Sequence, residues 1–207
     1  MKFVAISDTH GKHRALKLPK GDVVIHAGDF CYFGNEQHVY DFIKWYKALD
    51  YQTKILIGGN HDFFAAEQRD KLEVLIGEEI IYLQDSGIEI NGIKIWGSPY
   101  HPDLLSWAFG KERGDSIKVH WDLIPNDTEI LITHTPPYCI LDKTRFGKSI
   151  GCEELLNKLE ILKIKYHIFG HVHSSYGQVI QGNTTYINAS NLDSTKGLVN
   201  SPIVFEI

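Results

Sequence analysis

The clearest structural signal in the chain is the stretch Lys54-Ile55-Leu56-Ile57-Gly58-Gly59-Asn60-His61-Asp62, where a short apolar run passes directly into a polar turn. The run has the length and β-branched composition of a buried strand. The two glycines permit a tight turn at its end, and the turn carries an amide, an imidazole and a carboxylate. A rigid strand that ends in such groups can aim them at a common point.

Four more polar clusters follow predicted strands in the same way, namely Asp8-Thr9-His10, Gly28-Asp29, His134 and Gly170-His171-Val172-His173. One such cluster would be weak evidence, but five together indicate a shared site. Their donors are carboxylates, imidazoles and one amide, a set that suits divalent ions such as Mn²⁺, Fe²⁺ or Zn²⁺. Within the Asp-x-His and His-x-His pairs we expect an extended backbone, which would point both side chains the same way.

Length and composition favour a single domain that spans residues 1–207, since 43% of the 207 residues are hydrophobic and 23% are charged. The net charge of −5 argues against a sequence-independent grip on long nucleic acid. The three cysteines form no Cys-x-x-Cys pair, so we expect neither a disulfide framework nor a thiolate metal site. No stretch resembles a signal peptide or approaches the roughly 20 apolar residues of a membrane span. The expected location is the cytoplasm, without membrane association.

Strand and helix patterns alternate early in the chain, and hairpin patterns dominate later. One helix is predicted from the cap Asn35 to about Asp50, a second over Ala65–Ile76 and a third over Cys152–Leu162. A hairpin is predicted at Asn91-Gly92, and residues 97–121 have the least regular pattern. Other strands are predicted at Phe3–Ser7, Val23–Ala27, Lys54–Ile57, Ile80–Leu83, Ile130–Thr133, Tyr166–Phe169, Tyr176–Ile180, Thr185–Asn188 and Ile203–Ile207. This order predicts an α/β fold with two mixed sheets and outer helices, rather than one doubly wound sheet.

At these motifs the sequence resembles the calcineurin-like metallophosphoesterase superfamily, whose pattern is Asp-x-His, Gly-Asp, Gly-Asn-His-Asp/Glu, His and Gly-His-x-His. Within it the chain is most similar to the metallophosphoesterase-domain-containing phosphodiesterase family. The supporting stretches are His26–Phe30, Ile57–His61, Ile95–Pro99, Asp122–Pro125, Thr133–Pro137 and Thr185–Ser190. The resemblance covers essentially the whole chain. It implies two mixed β-sheets packed face to face with flanking helices, a four-layer αββα sandwich.

Carried over position by position, the resemblance implies two divalent metal ions, of which Mn²⁺ is the expected kind, with Fe²⁺ or Zn²⁺ as alternatives. The first ion would be bound by Asp8, His10, Asp29 and His173. The second would be bound by Asp29, Asn60, His134 and His171, so that Asp29 bridges the two. The implied reaction is in-line attack on phosphorus by a hydroxide that the ions share, with His61 as the general acid for the leaving alkoxide.

One departure from the superfamily pattern bears on the substrate. The superfamily often continues Gly-Asp with x-x-Asp, and protein Ser/Thr phosphatases add an arginine, but Tyr32 and Phe33 stand at those places here. The carboxylate that would orient His61 and the arginine that would bind a phosphomonoester dianion are therefore both replaced. Asp62 is the candidate for orienting His61, because it is the next residue. A diester monoanion, which needs less positive charge, is favoured as the substrate.

The expected function is thus a phosphodiesterase that acts on a small phosphodiester such as a cyclic nucleotide. Two alternatives stay open: a broad phosphomonoesterase, and a nucleotide- or metal-binding regulatory module with little turnover. A nuclease for long nucleic acid fits less well, because the chain is acidic and short.

Several other residues have two interpretations. Tyr100, Trp107 and Arg113 could line a substrate pocket, while the rings among them could equally form a small core under a long loop. His13 lies close enough in sequence to His10 to support the metal ligands. Packing or surface positions are expected for the remaining histidines, namely His26, His38, His101, His120 and His167.

Overall fold

The computed structural model describes residues 1–33, 35–103, 106–193, 195, 197 and 200–207. Its strands are β1 (Lys2–Ile6), β2 (Val23–Ala27), β3 (Thr53–Ile57), β4 (Ile81–Tyr82), β5 (Ser86–Ile90), β6 (Ile93–Ser98), β7 (His101–Pro102), β8 (Gly110–Lys111), β9 (Ile130–Thr133), β10 (Tyr166–Phe169), β11 (Gly177–Gln181), β12 (Thr184–Asn188) and β13 (Ile203–Glu206). Its α-helices are α1 (Glu36–Lys47), α2 (Phe63–Glu67), α3 (Arg69–Ile76), α4 (Asp115–Asp122) and α5 (Glu153–Leu159). Short 3₁₀ turns cover His13–Ala15 and His173–Ser175.

The described strands form two mixed sheets and a small ladder between β7 and β8. The first sheet has the order β13-β1-β2-β3-β4, in which β13 is antiparallel to β1 and the other pairs are parallel. The second has the order β11-β12-β10-β9-β6-β5, with parallel pairs inside and an antiparallel pair at each edge. The prediction of two mixed sheets is therefore confirmed.

Three apolar clusters among the described residues show how the layers pack. One lies between the sheets and contains Ile25 and Ile55 of the first sheet with Ile132 and Ile168 of the second. Another joins the outer face of the first sheet to α1, α2 and α3, and the third joins the outer face of the second sheet to α4 and α5. Burial of both faces explains why the central strands read as continuous apolar runs. The layers follow the αββα order that the resemblance implied.

Parallel pairing places the carboxyl ends of the central strands at a common edge. β1, β2 and β3 run in parallel in one sheet, and β9 and β10 do so in the other. All five polar clusters of the sequence begin within three residues of those ends. A parallel bridge between Ser7, after β1, and Ser190, after β12, joins these edges of the two sheets, so the clusters lie on the same side of the molecule.

Local signals for caps and turns predict the structure well. The Asn35 side chain accepts hydrogen bonds from the N–H groups of Gln37 and His38 and caps α1. Asn91 and Gly92 adopt positive φ angles of 50° and 83° in the turn between β5 and β6, as the Asn-Gly hairpin signal requires.

One helix prediction was wrong, and one helix was not predicted. The single helix expected over Ala65–Ile76 is divided into α2 and α3, because Gln68 leaves the helical region at φ −128° and ψ 46°. No glycine or proline marks that break, and both segments bury side chains in the same cluster, so tertiary packing sets it. The helix that was not predicted is α4, which begins within the irregular stretch 97–121 and buries Ile117 and Trp121 one helical turn apart. That i, i+4 spacing is a signal that could have identified it.

Among the helices that the structure describes, none has the length and apolar character needed to cross a bilayer.

Candidate metal centre

The residues predicted for the first ion lie close together at the sheet ends. His10 Nε2 is 3.4 Å from His173 Nε2, and His173 Nε2 is 3.3 Å from Asp8 Oδ1. His10 Nε2 also lies 3.6 Å from Asp29 Oδ2. Asp8, which follows β1, and His173, which follows β10, come from different sheets, so this group exists only because the sheets pack face to face.

The residues predicted for the second ion form an adjacent group. Asn60 Oδ1 is 2.9 Å from His134 Nε2 and 2.8 Å from His171 Nδ1. His134 Nε2 lies 3.4 Å from Asp29 Oδ2. Asp29 Oδ2 therefore faces both groups, as a shared ligand must.

These separations, which range from 2.8 to 3.6 Å, are close to those of donors around a single ion. Two ligand atoms that each lie about 2.1 Å from an ion, at angles between tetrahedral and octahedral values, are about 3.0–3.4 Å apart. Three combinations of Asp8, His10, Asp29, His61, His134 and His173 bring their donor atoms within 4.8 Å of one another. One of them contains His61 together with His10 and Asp29, so the geometry alone does not separate His61 from the ligands.

The hydrogen bonds around His134 leave its Nε2 as the ring atom that can hold a proton or a metal ion. His134 Nδ1 lies 2.9 Å from the carbonyl oxygen of Ala27, which can only accept, so Nδ1 donates and the lone pair of the neutral ring is on Nε2. That nitrogen faces oxygens of Asn60 and Asp29 at 2.9 and 3.4 Å. Acceptors at such distances repel one another unless a proton or a metal ion lies among them.

His173 is oriented by the same device. Its Nδ1 donates to the carbonyl oxygen of Asp193 at 3.0 Å, which leaves Nε2 to face Asp8 and His10. A bond from the far ring nitrogen to a backbone carbonyl is a common way to fix the tautomer of a metal-binding histidine.

Sequence reasoning missed Ser190 as part of the site. The Ser190 hydroxyl donates to Asp8 Oδ2 at 2.9 Å, and the backbone N–H of His171 reaches the same carboxylate at 3.0 Å. Ser190 lies within the stretch Thr185–Ser190, which carried the resemblance but was given no role.

The backbone of the ligand loops differs from the expected extended form. Asp8, His10, Asp29 and His171 have positive φ angles of 55°, 41°, 57° and 66°. The expectation that the Asp-x-His and His-x-His pairs point the same way because their backbone is extended was therefore wrong. Left-handed turns bring these side chains together, and such strained conformations concentrate at functional sites.

Two glycines make room for the carboxylates. A Cβ atom at Gly59 would collide with Asp29 Oδ1, and one at Gly170 would collide with Asp8 Oδ2. The glycines thus allow the main chain of one loop to contact the ligand of another.

The charges within the site perturb each other strongly. Burial raises the pKa of Asp29, but His134 and His10 outweigh it and hold the pKa well below its ordinary value. Burial lowers the pKa of His134, but the Asp29 carboxylate outweighs burial and raises it to about 9. Burial lowers the pKa of His10 to about 4 and that of His171 to about 3, so these rings are neutral. An incoming metal ion would displace the proton of His134, as expected when a ligand must be deprotonated.

Asp62 does not have the role that its sequence position suggested. Its buried carboxylate accepts the backbone N–H groups of Asp29 at 2.8 Å, Gly59 at 2.8 Å and Cys31 at 3.0 Å. The prediction that it orients the His61 ring is corrected, because its oxygens hold the backbone of the loop that carries Asp29.

The residues predicted to bind substrate separate into two groups. Trp107 lies beside the metal centre, with its ring centroid 4.7 Å from that of His61. Tyr100 instead stacks on His120, with ring centroids 3.5 Å apart. Arg113 binds the carbonyl oxygens of Gly151 and Ile150 at 3.0 and 3.1 Å, so the structure gives it a structural role.

His13 also has a structural role rather than the expected one. Its Nε2 lies 3.2 Å from Asp41 of α1, and its ring packs on Trp45. His26 and His167 are buried and bonded to Thr9 and Thr133, as expected of packed histidines. His120 binds Asp85, and His101 is buried against His171, while His38 is exposed on α1.

Comparisons with known proteins agree with this geometry. Residues 1–175 match the family model described as calcineurin-like phosphoesterase. The chain is 38% identical over 230 residues to human "Metallophosphoesterase domain-containing protein 1", covering 100% of the chain and 71% of that protein. One crystal structure superposes with a TM-score of 0.71 at 16% identity, covering 99% of this chain and 98% of that one. The crystal structure of TT1561 of Thermus thermophilus superposes with a TM-score of 0.61 at 15% identity, covering 90% and 88%. At such identities the two structures show the fold alone.

Proposed function

The chain belongs to the calcineurin-like phosphoesterase family of metal-dependent phosphoester hydrolases, and from this premise we propose that it is a two-metal phosphodiesterase acting on a small phosphodiester such as a cyclic nucleotide. Members of the family generally use two divalent metal ions and act on small phosphoester substrates. The proposed ligands are Asp8, His10, Asp29 and His173 for one ion and Asp29, Asn60, His134 and His171 for the other.

One observation carries the proposal: Asp29 Oδ2 lies 3.6 Å from His10 Nε2 and 3.4 Å from His134 Nε2, and so faces both ligand groups. Two ions bound there would supply an activated water nucleophile at neutral pH and positive charge for the phosphoryl oxygens.

His61 is the proposed general acid that gives a proton to the leaving oxygen. Its backbone N–H donates to Asp29 Oδ1 at 2.8 Å, which ties the position of the acid to that of the shared carboxylate. Its ring centroid lies 4.7 Å from that of His10. The ring is therefore close enough to the ligands to reach an oxygen of a bound phosphate.

The preference for a diester is supported by the residues that follow Asp29. Tyr32 and Phe33 place aromatic rings against His61, with centroids 5.8 and 5.1 Å away. Neutral rings at these places do not offset the second charge of a phosphomonoester dianion. A diester monoanion lacks that charge.

A substrate panel tests the proposal. Purified protein is loaded with Mn²⁺ and assayed with bis-p-nitrophenyl phosphate, p-nitrophenyl phosphate, and 2′,3′- and 3′,5′-cyclic nucleotides. We expect diester hydrolysis to exceed monoester hydrolysis, EDTA to abolish both, and Mn²⁺ to restore both. Hydrolysis that is indifferent to EDTA would refute the metal assignment, and a monoester preference would refute the diester assignment.

Matched variants show whether the hydrolysis comes from this site. Asp29→Ala should be inactive on the whole panel. Asp41→Ala removes a carboxylate that binds Arg14 on the surface and should keep full activity.

A further inference from the structure

Three aromatic side chains pack around His61, and one of them, Tyr32, also lies edge-on to His10. We propose that Tyr32, Phe33 and Trp107 form a leaving-group wall, which selects phosphodiesters whose leaving group carries a flat aromatic ring. This inference rests on the proposed function and specifies the substrate of that same site.

The three rings are arranged around one imidazole. The Tyr32 ring is nearly parallel to that of His61, at 5.8 Å and 11°, and Phe33 meets it edge-on at 5.1 Å and 68°. Trp107 is tilted against His61 at 4.7 Å and 57°. Phe33 and Trp107 stack on each other at 5.7 Å and 24°. The rings therefore form a continuous surface rather than scattered apolar residues.

The position of the wall beside His61 relates this surface to the reaction. His10 packs edge-on against His61 at 4.7 Å and meets Tyr32 edge-on at 6.0 Å, so the wall adjoins both the proposed general acid and a proposed metal ligand. In an in-line displacement the leaving oxygen departs on the side opposite the nucleophile, and a general acid must be within hydrogen-bond reach of it. A leaving group protonated by His61 therefore extends over Tyr32, Phe33 and Trp107.

The wall has surface left for a ligand. Phe33 is 54% exposed and Tyr32 is 39% exposed, although both adjoin a buried cluster of ligands. Aromatic side chains that keep an accessible face can stack on any flat ring, including every nucleobase. The three side chains bear no formal charge, so the surface favours an uncharged leaving group.

A second flank of the metal centre, beside His171 and His173, is chemically different. His171 and His173 line a cavity of about 290 Å³ together with Arg145 and Phe146. The Arg145 guanidinium lies 4.6 Å above the Phe146 ring and so already occupies one face of it. This cationic flank suits the polar remainder of the substrate, whereas the neutral flank beside His61 suits a flat ring.

The test compares pairs of substrates in which one member carries a flat ring and the other does not. Adenosine 2′,3′-cyclic phosphate is compared with 1-O-methylribose 2′,3′-cyclic phosphate, which has the same reacting phosphate without a base. Methyl phenyl phosphate is compared with methyl hexafluoroisopropyl phosphate, because their leaving groups have similar acidity. The first pair tests a nucleobase and the second an aryl group. For the wild-type Mn²⁺ enzyme we expect kcat/KM to favour the ring-bearing member of at least one pair by roughly 5- to 100-fold.

Variants attribute this selectivity to the wall. Phe33→Leu and Trp107→Leu keep apolar bulk but remove a ring, and each should lower the kcat/KM ratio several-fold toward one. The conservative variants Phe33→Tyr and Trp107→Phe should retain most of it. Phe146→Leu is the matched control outside the wall, at a side chain that is 82% exposed and contacts Arg145, and it should leave the ratio unchanged. If a ring only holds His61 in place, its removal would lower kcat/KM equally for both members of a pair. A change in the ratio of the two kcat/KM values therefore indicates stacking on the substrate.

The outcomes distinguish this inference from the proposed function. Wild-type enzyme that hydrolyses diesters with ratios near one in both pairs would overturn the wall and leave the phosphodiesterase intact. A ratio that falls in Phe146→Leu but not in Phe33→Leu would also overturn it. If wild type hydrolyses no diester, the proposed function fails. The wall would then be tested by calorimetry, which compares the affinities for adenosine 2′-phosphate and 1-O-methylribose 2-phosphate. Tighter binding of the adenosine compound would support the wall, and equal affinities would overturn it.

Discussion

Asp62 and Asp29 each accept a backbone hydrogen bond from the loop that carries the other. Asp62 Oδ2 accepts the N–H of Asp29 at 2.8 Å. Asp29 Oδ1 accepts the N–H of His61, which precedes Asp62, also at 2.8 Å. The loop after β2 and the loop after β3 are therefore locked by two carboxylates. Since Asp29 is the proposed shared ligand, its second oxygen is left to face both metal positions.

Asp62→Asn should weaken metal binding although Asp62 faces no ion. The buried carboxylate receives N–H groups on both oxygens, so an amide NH₂ on either side would oppose a donor. We expect metal affinity to fall about 10- to 100-fold, and the free energy of unfolding to fall by about 1–3 kcal/mol. Metal titration and denaturant unfolding measure these effects. Asp41→Asn serves as the surface control, and wild-type metal affinity in Asp62→Asn would contradict the role.

Asp29→Ala should lose both metal ions, because its carboxylate faces both ligand groups. His134→Ala and His173→Ala should each lose one ion, since each ring belongs to one group. Elemental analysis of purified, Mn²⁺-loaded protein gives ions per chain. Two ions retained in Asp29→Ala would show that the carboxylate is not shared.

His61→Gln should keep two metal ions and lose rate on substrates with poor leaving groups. General acid catalysis contributes typically 10²–10⁴-fold, and it matters little when the leaving group is already acidic. The expected result is a large loss on cyclic nucleotides and a small one on bis-p-nitrophenyl phosphate. Because His61 also lies within 4.8 Å of donors of His10 and Asp29, the metal content is decisive. Loss of one ion per chain would make His61 a ligand instead.

His167 makes the free energy of unfolding sensitive to acid, independently of the metal centre. The side chain is fully buried, and burial lowers its pKa from 6.5 to about 3. The Thr133 hydroxyl donates to the carbonyl oxygen of Thr135, so it accepts from His167 Nε2–H at 2.8 Å. Above pH 6.5 the ring is neutral in both the native and the unfolded protein, so it does not make stability depend on pH. Below pH 6.5 the ring binds a proton in the unfolded chain but stays neutral in the native protein, so the free energy of unfolding falls as the pH falls.

His167→Gln should remove this acid sensitivity while keeping an N–H donor for Thr133. We compare the free energy of unfolding of the variant with that of wild type at each pH. Between pH 8 and pH 5 this difference should shift by about 2 kcal/mol in favour of the variant. Urea unfolding curves at pH 8, 7, 6 and 5 measure the shift. Parallel curves for both proteins would show that His167 is protonated in the native state as easily as in the unfolded chain.

Much of the site was predictable because its motifs follow strands. The strand β3 and its Gly-Gly-Asn-His-Asp turn are both evident in the sequence. The partners of individual side chains were not. His13 and His10 are three residues apart, yet His13 binds Asp41 while His10 faces Asp29, because the turn between them separates their side chains. Arg113, which could have bound an anion, instead binds the carbonyls of residues 150 and 151.

The order of apolar runs and polar turns determined, from sequence alone, the class of fold, the strands involved and the kinds of donor at their ends. These are properties of a few neighbouring residues, and local propensity and periodicity encode them. Tertiary structure decided what each donor faces. Asp8 meets His173, and Asn60 meets His134 and His171, because two sheets formed by distant segments pack face to face. Their left-handed loops turn the side chains inward, and no local pattern specifies distances between segments that meet only after folding.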